Sequence, residues 1–214
     1  NLWQAILAVV IGNGLAAITH GLFSTFGPKA GLPQMILGRA AFGKLGNLIP
    51  AGLSTLVAGI GWFAVNTVSG SLALSALSGL AIQVSLLVVI VVQVAIAFIG
   101  HNLIQIWERY TSYVLALIWL IVIFVTLPQG HYGVDFGSFN IGGFTLAAGA
   151  AYGYTAGWTP FASDYTRYLP AETNKRALGL AAGLGNFFST TVLMIVGAVV
   201  FAIIGVQDNP TAGF

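Results

Sequence analysis

Trp62 and Asn66, in the stretch "AGIGWFAVNTVSG", are the clearest candidates for binding a flat ring. Residues four apart lie on one face of a helix. An indole gives a stacking surface, and stacking of a base on an aromatic ring contributes about 1–3 kcal/mol. A carboxamide offers one acceptor and two donors to the edge of a heterocycle. The alternative is structural, because Trp is common at membrane interfaces and Asn often forms hydrogen bonds between helices.

A second candidate is the stretch "GAAYGYTAGWTPFASDYTRYLP", residues 149–170, where several residues weaken a helix. These residues are Gly149, Gly153, Gly157 and Pro160. Glycine costs a helix about 1 kcal/mol against alanine, and proline removes a hydrogen-bond donor. Interrupted spans of this kind indicate a substrate site in transporters, although glycines also permit close helix packing. Because Tyr154 and Trp158 are interleaved with the glycines, we favour a broken helix at about 142–162 that binds a ligand.

Few ionisable residues lie near the candidate site. Asp164 and Arg167 are three residues apart in "SDYTRY", so they form either a gate or an ion pair at the membrane interface, and we favour the ion pair. His20 suits a proton relay or a hydrogen bond to a neighbouring helix, whereas His101 and His131 are expected in connections. No span has a charge at its centre, so the sequence does not decide between H⁺ and Na⁺ coupling.

The composition defines the class of protein. Of the 214 residues, 57% are hydrophobic and 6% are charged, whereas soluble domains have roughly 25% charged residues. The chain is therefore predicted to be an all-α integral membrane protein. It has no cysteine, which excludes disulfides and thiolate metal sites. The spans contain no paired carboxylates, Ser/His pair or His-rich metal spacing, so we predict that it is not an enzyme and has no metal site or cofactor.

Six segments are long and apolar enough to cross a membrane, which requires about 20 residues. They are residues 2–26, 47–70, 79–100, 111–128, 142–162 and 178–205. Spans one, two, five and six are rich in small residues, which allow helices to approach closely. We therefore expect these four in the interior of a bundle, and the Val/Ile-rich spans three and four nearer to lipid.

The basic residues indicate how the spans are oriented. All seven Lys and Arg residues lie in the connections between spans one and two, three and four, and five and six. The positive-inside rule makes that side cytoplasmic. The other side carries Asp135 and Asp208, so residue 1 and residue 214 are expected on the outer side.

Two features suggest a larger protein with internal symmetry. Gly12-Asn13 in span one and Gly185-Asn186 in span six occupy similar places in helices of opposite direction, as an inverted repeat would produce. The chain also begins inside an apolar segment without Met. We therefore expect residues 1–214 to be one fragment of a single transmembrane transporter domain.

Three motifs in order, "GPKAGLPQMILGRAAFGKLGNLIPA", "GIGWFAVNT" and "GWTPFASDYTRYLP", extend the interpretation. With them nearly the whole chain resembles the nucleobase:cation symporter-1 family, most of all its purine/cytosine permease branch. The resemblance implies a LeuT-like bundle of inverted five-plus-five helices, in which this chain supplies helices two to seven of about twelve. It also implies a multi-pass protein of the plasma (inner) membrane.

The resemblance assigns roles to the candidate residues. In the family, a Trp on the third helix and an aromatic residue on the broken sixth helix enclose the nucleobase. An amide residue one turn after the Trp of the third helix binds the edge of the base. These roles correspond to Trp62, Trp158 and Asn66, with Tyr154 as the rival of Trp158. Gly153, Gly157 and Pro160 would form the hinge. Where some relatives have Gln, this sequence has Asn66, which favours cytosine or purines over hydantoins.

The implied activity is import of a nucleobase such as cytosine or a purine with a cation, H⁺ or Na⁺. The alternative cargo is another flat heterocycle, such as allantoin, a hydantoin, uracil or a vitamin. The expected partners are the small-molecule nucleobase, the coupling cation and the lipid bilayer, with no nucleic acid polymer and no obligate protein partner. The cation is expected to bind mainly to family helices that this chain lacks.

Overall fold

The computed structural model describes residues 1–130 and 138–204, and within them the regular structure is helical. In chain order the α-helices are α1 (Leu2–Ser24), α2 (Gly27–Ala30), α3 (Gln34–Leu37), α4 (Arg39–Gly46), α5 (Leu48–Leu56), α6 (Phe63–Ser78), α7 (Ile82–Ile99), α8 (His101–Thr126), α9 (Ile141–Ala156), α10 (Ala162–Thr166) and α11 (Lys175–Ile204). A π-helical segment, Val57–Trp62, joins α5 to α6. The predictions for His131, Asp135, Asp208 and residue 214 lie outside the described residues.

Five helices in the described part of the chain are long and apolar enough to cross a membrane. They are Leu2–Ala30, Leu48–Ser78, Ile82–Ile99, His101–Gln129 and Lys175–Ile203. The remaining predicted span, 142–162, is divided into α9, a 3₁₀ turn and α10, as a broken helix requires, but the count of six spans is not confirmed. At about 1.5 Å per residue, the 16 residues of α9 extend about 24 Å, less than the roughly 30 Å of a bilayer core.

The predicted start of span four was wrong. The sequence placed it at residue 111, but α8 begins ten residues earlier, at His101. The helices α7 and α8 are separated by Gly100 alone, whose φ of 89° allows a sharp turn between them. The first turns of α8 therefore contain polar residues, namely His101, Glu108 and Arg109. Polar side chains are compatible with a helix that continues past the apolar part of a span.

The chain divides into two compact units. Among the described residues, unit 1 contains Asn1–Ser54, Gly130 and 138–202, and unit 2 contains Thr55–Gln129, Ile203 and Ile204. In unit 1, α1 packs along α9 with small side chains between them, including the buried Ala16 and Ala151. A Cβ atom on Gly12 would lie 2.3 Å from the carbonyl oxygen of Ala148, so this contact requires glycine.

In unit 2, small polar side chains mediate the packing of α6 against α7. Thr67, Ser71 and Ser85 are buried, and Thr67 Oγ1 donates hydrogen bonds to Phe63 O at 2.7 Å and to Gln93 Oε1 at 3.3 Å. Long apolar side chains point outward, as expected for a helix surface in lipid. The prediction of one domain over residues 1–214 stays a prediction.

Candidate functional site

A buried polar network fixes the end of α9. Asn13 on α1 and Thr155 on α9 are both fully buried. Thr155 Oγ1 donates to Asn13 Oδ1 at 2.7 Å, and Asn13 Nδ2 donates to Thr191 Oγ1 on α11 at 3.1 Å. Both ends of one carboxamide therefore connect three helices, and the satisfied network holds α9 in a defined position.

The two Gly-Asn pairs of the sequence converge on this network. Asn186 Nδ2 donates to the carbonyl oxygen of Thr155 at 3.5 Å, while Asn13 accepts from the hydroxyl of the same residue. The sequence did not predict that Asn13 and Asn186 both form hydrogen bonds with Thr155. The inverted repeat that they suggested stays a prediction.

The helix is interrupted directly after this anchored turn. The α9 helix ends at Ala156, and Thr159–Phe161 form a 3₁₀ turn with Pro160 in its first positions. Gly157 lies in the irregular part, whereas Gly153 remains inside α9. A Cβ atom on Gly153 would meet nothing within 4 Å, so this glycine does not serve close packing among the described residues.

Two aromatic side chains beside the interruption are accessible in unit 1. Tyr154 is 42% exposed and Trp158 is 46% exposed, although Thr155 between them is fully buried. The imidazole of His20 reaches the backbone of Trp158. Tyr154 and Trp158 are one helical turn apart and could each stack on a flat ring.

A cavity of about 930 Å³ adjoins the interruption on the side of the short helices α2 to α4. Tyr152, Thr159 and Pro160 contribute to its wall, together with Gln34 and Asn47. The Oγ1 atom of Thr159 is buried and has no hydrogen-bond partner in the described part of unit 1. A cavity of this size, with few polar groups, can hold a small heterocycle.

Trp62 and Asn66 lie on one face of the π-helical segment and α6 in unit 2. Trp62 is the last residue of the π-helical segment, and Asn66 follows in the first turn of α6. Asn66 is exposed, while the neighbouring Thr67 makes the polar contact with α7. This arrangement argues against the alternative that Asn66 bonds α6 to α7. Sequence reasoning missed the π-helical segment, and such segments are frequent at functional sites.

Asp164 and Arg167 make separate contacts. Asp164 Oδ1 accepts a hydrogen bond of 2.7 Å from the backbone N–H of Gln34, the first residue of α3. Arg167 Nη2 donates to Tyr168 Oη at 2.7 Å, and its guanidinium lies 4.7 Å from the centre of the Tyr168 ring. Asp164 thus attaches the segment that follows α2 to α10. The predicted ion pair between Asp164 and Arg167 did not include this contact.

Unit 1 places Tyr154, Trp158, Gly157 and Pro160 close together, and unit 2 carries Trp62 and Asn66 on one helix face. That the two sets enclose one ligand stays a prediction. Among residues 1–130 and 138–204, no three His, Asp or Glu residues form a group that could hold a metal ion.

Comparison with known proteins adds to this geometry. The model of a family described as permeases for cytosine/purines, uracil, thiamine and allantoin matches residues 1–212. A purine-cytosine permease of Saccharomyces cerevisiae is 32% identical over 206 residues, covering 92% of this chain and 38% of the permease. A vitamin B6 transporter of Saccharomyces cerevisiae is 27% identical over 207 residues, covering 92% of this chain and 35% of the transporter.

A solved structure shares the fold. It is a nucleobase-cation-symport-1 family transporter in a closed conformation with bromovinylhydantoin bound, with a TM-score of 0.78 and 21% identity. The match covers 100% of this chain and 50% of that transporter. The chain spans about two-fifths of the length of the curated permeases that it matches.

Proposed function

The chain belongs to the nucleobase:cation symporter-1 family, in its purine/cytosine permease branch, and we propose that the complete protein is a secondary active transporter. It imports a nucleobase such as cytosine or a purine together with a cation. The family match over residues 1–212 carries this proposal. In it, the chain is one part of the transmembrane domain, corresponding to helices two to seven of about twelve.

The substrate ring stacks between Trp62 and Trp158, and Asn66 binds its polar edge. The accessible position of Asn66 on α6 and the 46% exposure of Trp158 support these roles. Tyr154, with 42% exposure one turn earlier, is the rival stacking residue. An Asn side chain can donate to and accept from adjacent atoms of a base, which is the pattern on the edges of cytosine and adenine.

The interruption between α9 and α10 serves as the hinge of alternating access. Gly157 directly follows α9 and Pro160 lies in the 3₁₀ turn before α10, while Gly153 adds flexibility within α9. The protein lies in the plasma (inner) membrane with its basic connections in the cytoplasm, so that residue 1 and residue 214 are outside. The cation, H⁺ or Na⁺, binds mainly to helices beyond this chain.

The second candidate is a symporter of the same family for another flat heterocycle, such as allantoin, a hydantoin, uracil or a vitamin. Two findings favour keeping it: one relative is a vitamin B6 transporter, and the solved structure of similar fold holds bromovinylhydantoin. A stacking site accepts any flat ring, so the edge contact by Asn66 must distinguish the cargo.

Uptake of labelled cytosine by cells that lack their own permease and express the complete protein tests this function. Unlabelled adenine, hypoxanthine, uracil, allantoin, hydantoin and pyridoxine serve as competitors, and Asn66→Ala is measured alongside. Saturable uptake that purines block and that the variant loses supports the proposal. If the protein reaches the membrane without taking up cytosine, that cargo is rejected, and uptake of a labelled competitor identifies the second candidate.

A further inference from the structure

A groove of about 730 Å³ runs between α1 and α11 within unit 1. It is lined by Gly14, Ala17, Ile18, Gly21, Leu22 and Thr25 of α1 and by Lys175, Arg176, Gly179, Leu180, Gly183, Leu184 and Phe187 of α11. None of the residues proposed to bind the substrate lines the α1–α11 groove, although Thr25 and Lys175 also line the cavity of about 930 Å³ beside α9. Its walls are apolar along most of their length, and its two cationic residues lie at one end.

Close contact between the two helices forms the floor of the α1–α11 groove. A Cβ atom on Gly21 would lie 2.5 Å from the carbonyl oxygen of Gly179, and one on Gly183 would lie 3.0 Å from that of Ala17. The bulkier Leu22 and Leu184 are exposed. Small residues at the contact and larger ones beside it produce a channel that an extended hydrocarbon chain can fill.

The length of the α1–α11 groove matches one leaflet of a bilayer. Its lining residues on α1 extend from Gly14 to Thr25, which is about 16 Å at about 1.5 Å per residue. The hydrocarbon core of a membrane is roughly 30 Å thick, so one leaflet contributes roughly 15 Å. The groove is therefore long enough to hold an acyl chain across one leaflet.

The surface end of the α1–α11 groove is positively charged. Lys175 and Arg176 are exposed and begin α11, where the helix dipole adds partial positive charge. Asn174 Oδ1 accepts hydrogen bonds from the N–H groups of Arg176 at 3.0 Å and Ala177 at 3.1 Å, which fixes this helix start. Basic residues between transmembrane helices on the cytoplasmic side attract anionic lipid head groups.

We propose that the α1–α11 groove binds an anionic phospholipid of the cytoplasmic leaflet. One acyl chain lies on the glycine floor, and Lys175 and Arg176 bind the phosphate. The groove is unsuited to a nucleobase, because its walls lack polar partners for the edge of a ring and the Thr25 hydroxyl already donates to Leu22 O at 2.7 Å. The inference rests on the proposed orientation and is independent of the cargo.

The test measures binding of short-chain phosphatidylglycerol to the complete protein in detergent, by native mass spectrometry and by thermal shift. A Lys175→Gln/Arg176→Gln variant should bind about 30-fold more weakly, because each basic residue near an anionic surface contributes about five-fold. The matched control is Arg39→Gln/Lys44→Gln, which removes two cations of α4 that are not part of the groove. Phosphatidylcholine should bind to the unmodified protein and to both double variants with similar affinity.

A second variant, Gly14→Leu, fills the α1–α11 groove from its floor. Only the Phe187 ring lies near a Cβ atom at Gly14, at 3.7 Å, so the helix contact can be retained. This variant should lose phosphatidylglycerol binding while keeping uptake of whichever cargo the unmodified protein transports. The proposal is overturned if both double variants weaken lipid binding equally. It is also overturned if Gly14→Leu folds and still binds the lipid as the unmodified protein does, because the lipid would then be bound outside the groove.

Discussion

The hydroxyl of Thr155 donates to the Oδ1 atom of Asn13 across 2.7 Å, and both side chains are fully buried. The contact lies three residues before Trp158, which is proposed to stack on the cargo, and one residue after Tyr154, the rival of Trp158 in that role. Because Asn13 also donates to Thr191, the turn that presents these aromatic residues is held from two sides. A rigid support of this kind limits the geometries in which a ligand can be bound.

Replacement of Asn13 by Ala should destabilise the complete protein. It leaves the buried hydroxyls of Thr155 and Thr191 without their shared partner, which costs about 1–3 kcal/mol. Thermal unfolding in detergent measures the effect. Asn186→Ala is the matched control and should cost less, because its hydrogen bond to Thr155 is 3.5 Å long; equal losses would contradict the central role of Asn13.

Replacement of Trp62 by Ala should raise the KM for the cargo about 5- to 150-fold. The estimate follows from the roughly 1–3 kcal/mol of one stacked base, at about 1.4 kcal/mol per tenfold. Trp62→Phe should retain most of the affinity, since it keeps a ring. Trp107→Ala removes an exposed indole on α8 and serves as the control in the uptake assay; a similar loss there would assign the effect to general damage.

Gly27→Ala should destabilise the protein, whereas Gly52→Ala should not. A Cβ atom on Gly27 would lie 2.1 Å from Thr166 Oγ1 and 2.7 Å from the backbone nitrogen of Arg167, so α10 must move. Such overpacking costs about 1–3 kcal/mol. Gly52 has nothing within 4 Å, and alanine there gains up to about 1 kcal/mol of helix propensity. Melting temperatures that fall alike in both variants would reject this explanation.

Asp164→Ala should loosen the connection between α2 and α3. The backbone N–H of Gln34 loses a hydrogen bond to a charged group, which contributes roughly 1.5–3 kcal/mol. Hydrogen exchange of Gln34 should become about tenfold faster or more, at roughly 1.4 kcal/mol per tenfold. Arg167→Gln leaves the Gln34 contact in place and should leave this exchange rate unchanged; faster exchange in both variants would favour an interaction between the two residues.

If the protein is a symporter, cargo and coupling cation must stabilise each other's binding by the same factor. Titration of cytosine with and without Na⁺, and at two pH values, identifies the cation as the one that changes the Kd. The reverse titration of that cation, with and without cytosine, must give an equal change. A cytosine Kd that neither cation changes would contradict coupled transport.

The sequence predicted the class of fold and the interruption of span five because both depend on local chemistry. Apolar length and charge placement define spans, and the Gly/Pro content after Tyr154 indicates where a helix ends. It did not predict that Asn13 meets Thr155, since residues 142 apart in the chain are joined only by the packing of α1 on α9. It also missed the early start of α8, because the polar residues after His101 resemble a loop in a hydropathy profile.

The π-helical segment at Val57–Trp62 also matters for comparing relatives. A π-helical turn holds about one residue more than an α-helical turn, and each residue of an α-helix turns the chain by about 100°. A relative with a regular α-helix in this segment would therefore have about one residue fewer before Trp62. Family alignments should allow a one-residue gap inside "VAGIGW". Without that gap, cargo preference could be attributed to residues of α5 that do not correspond in space.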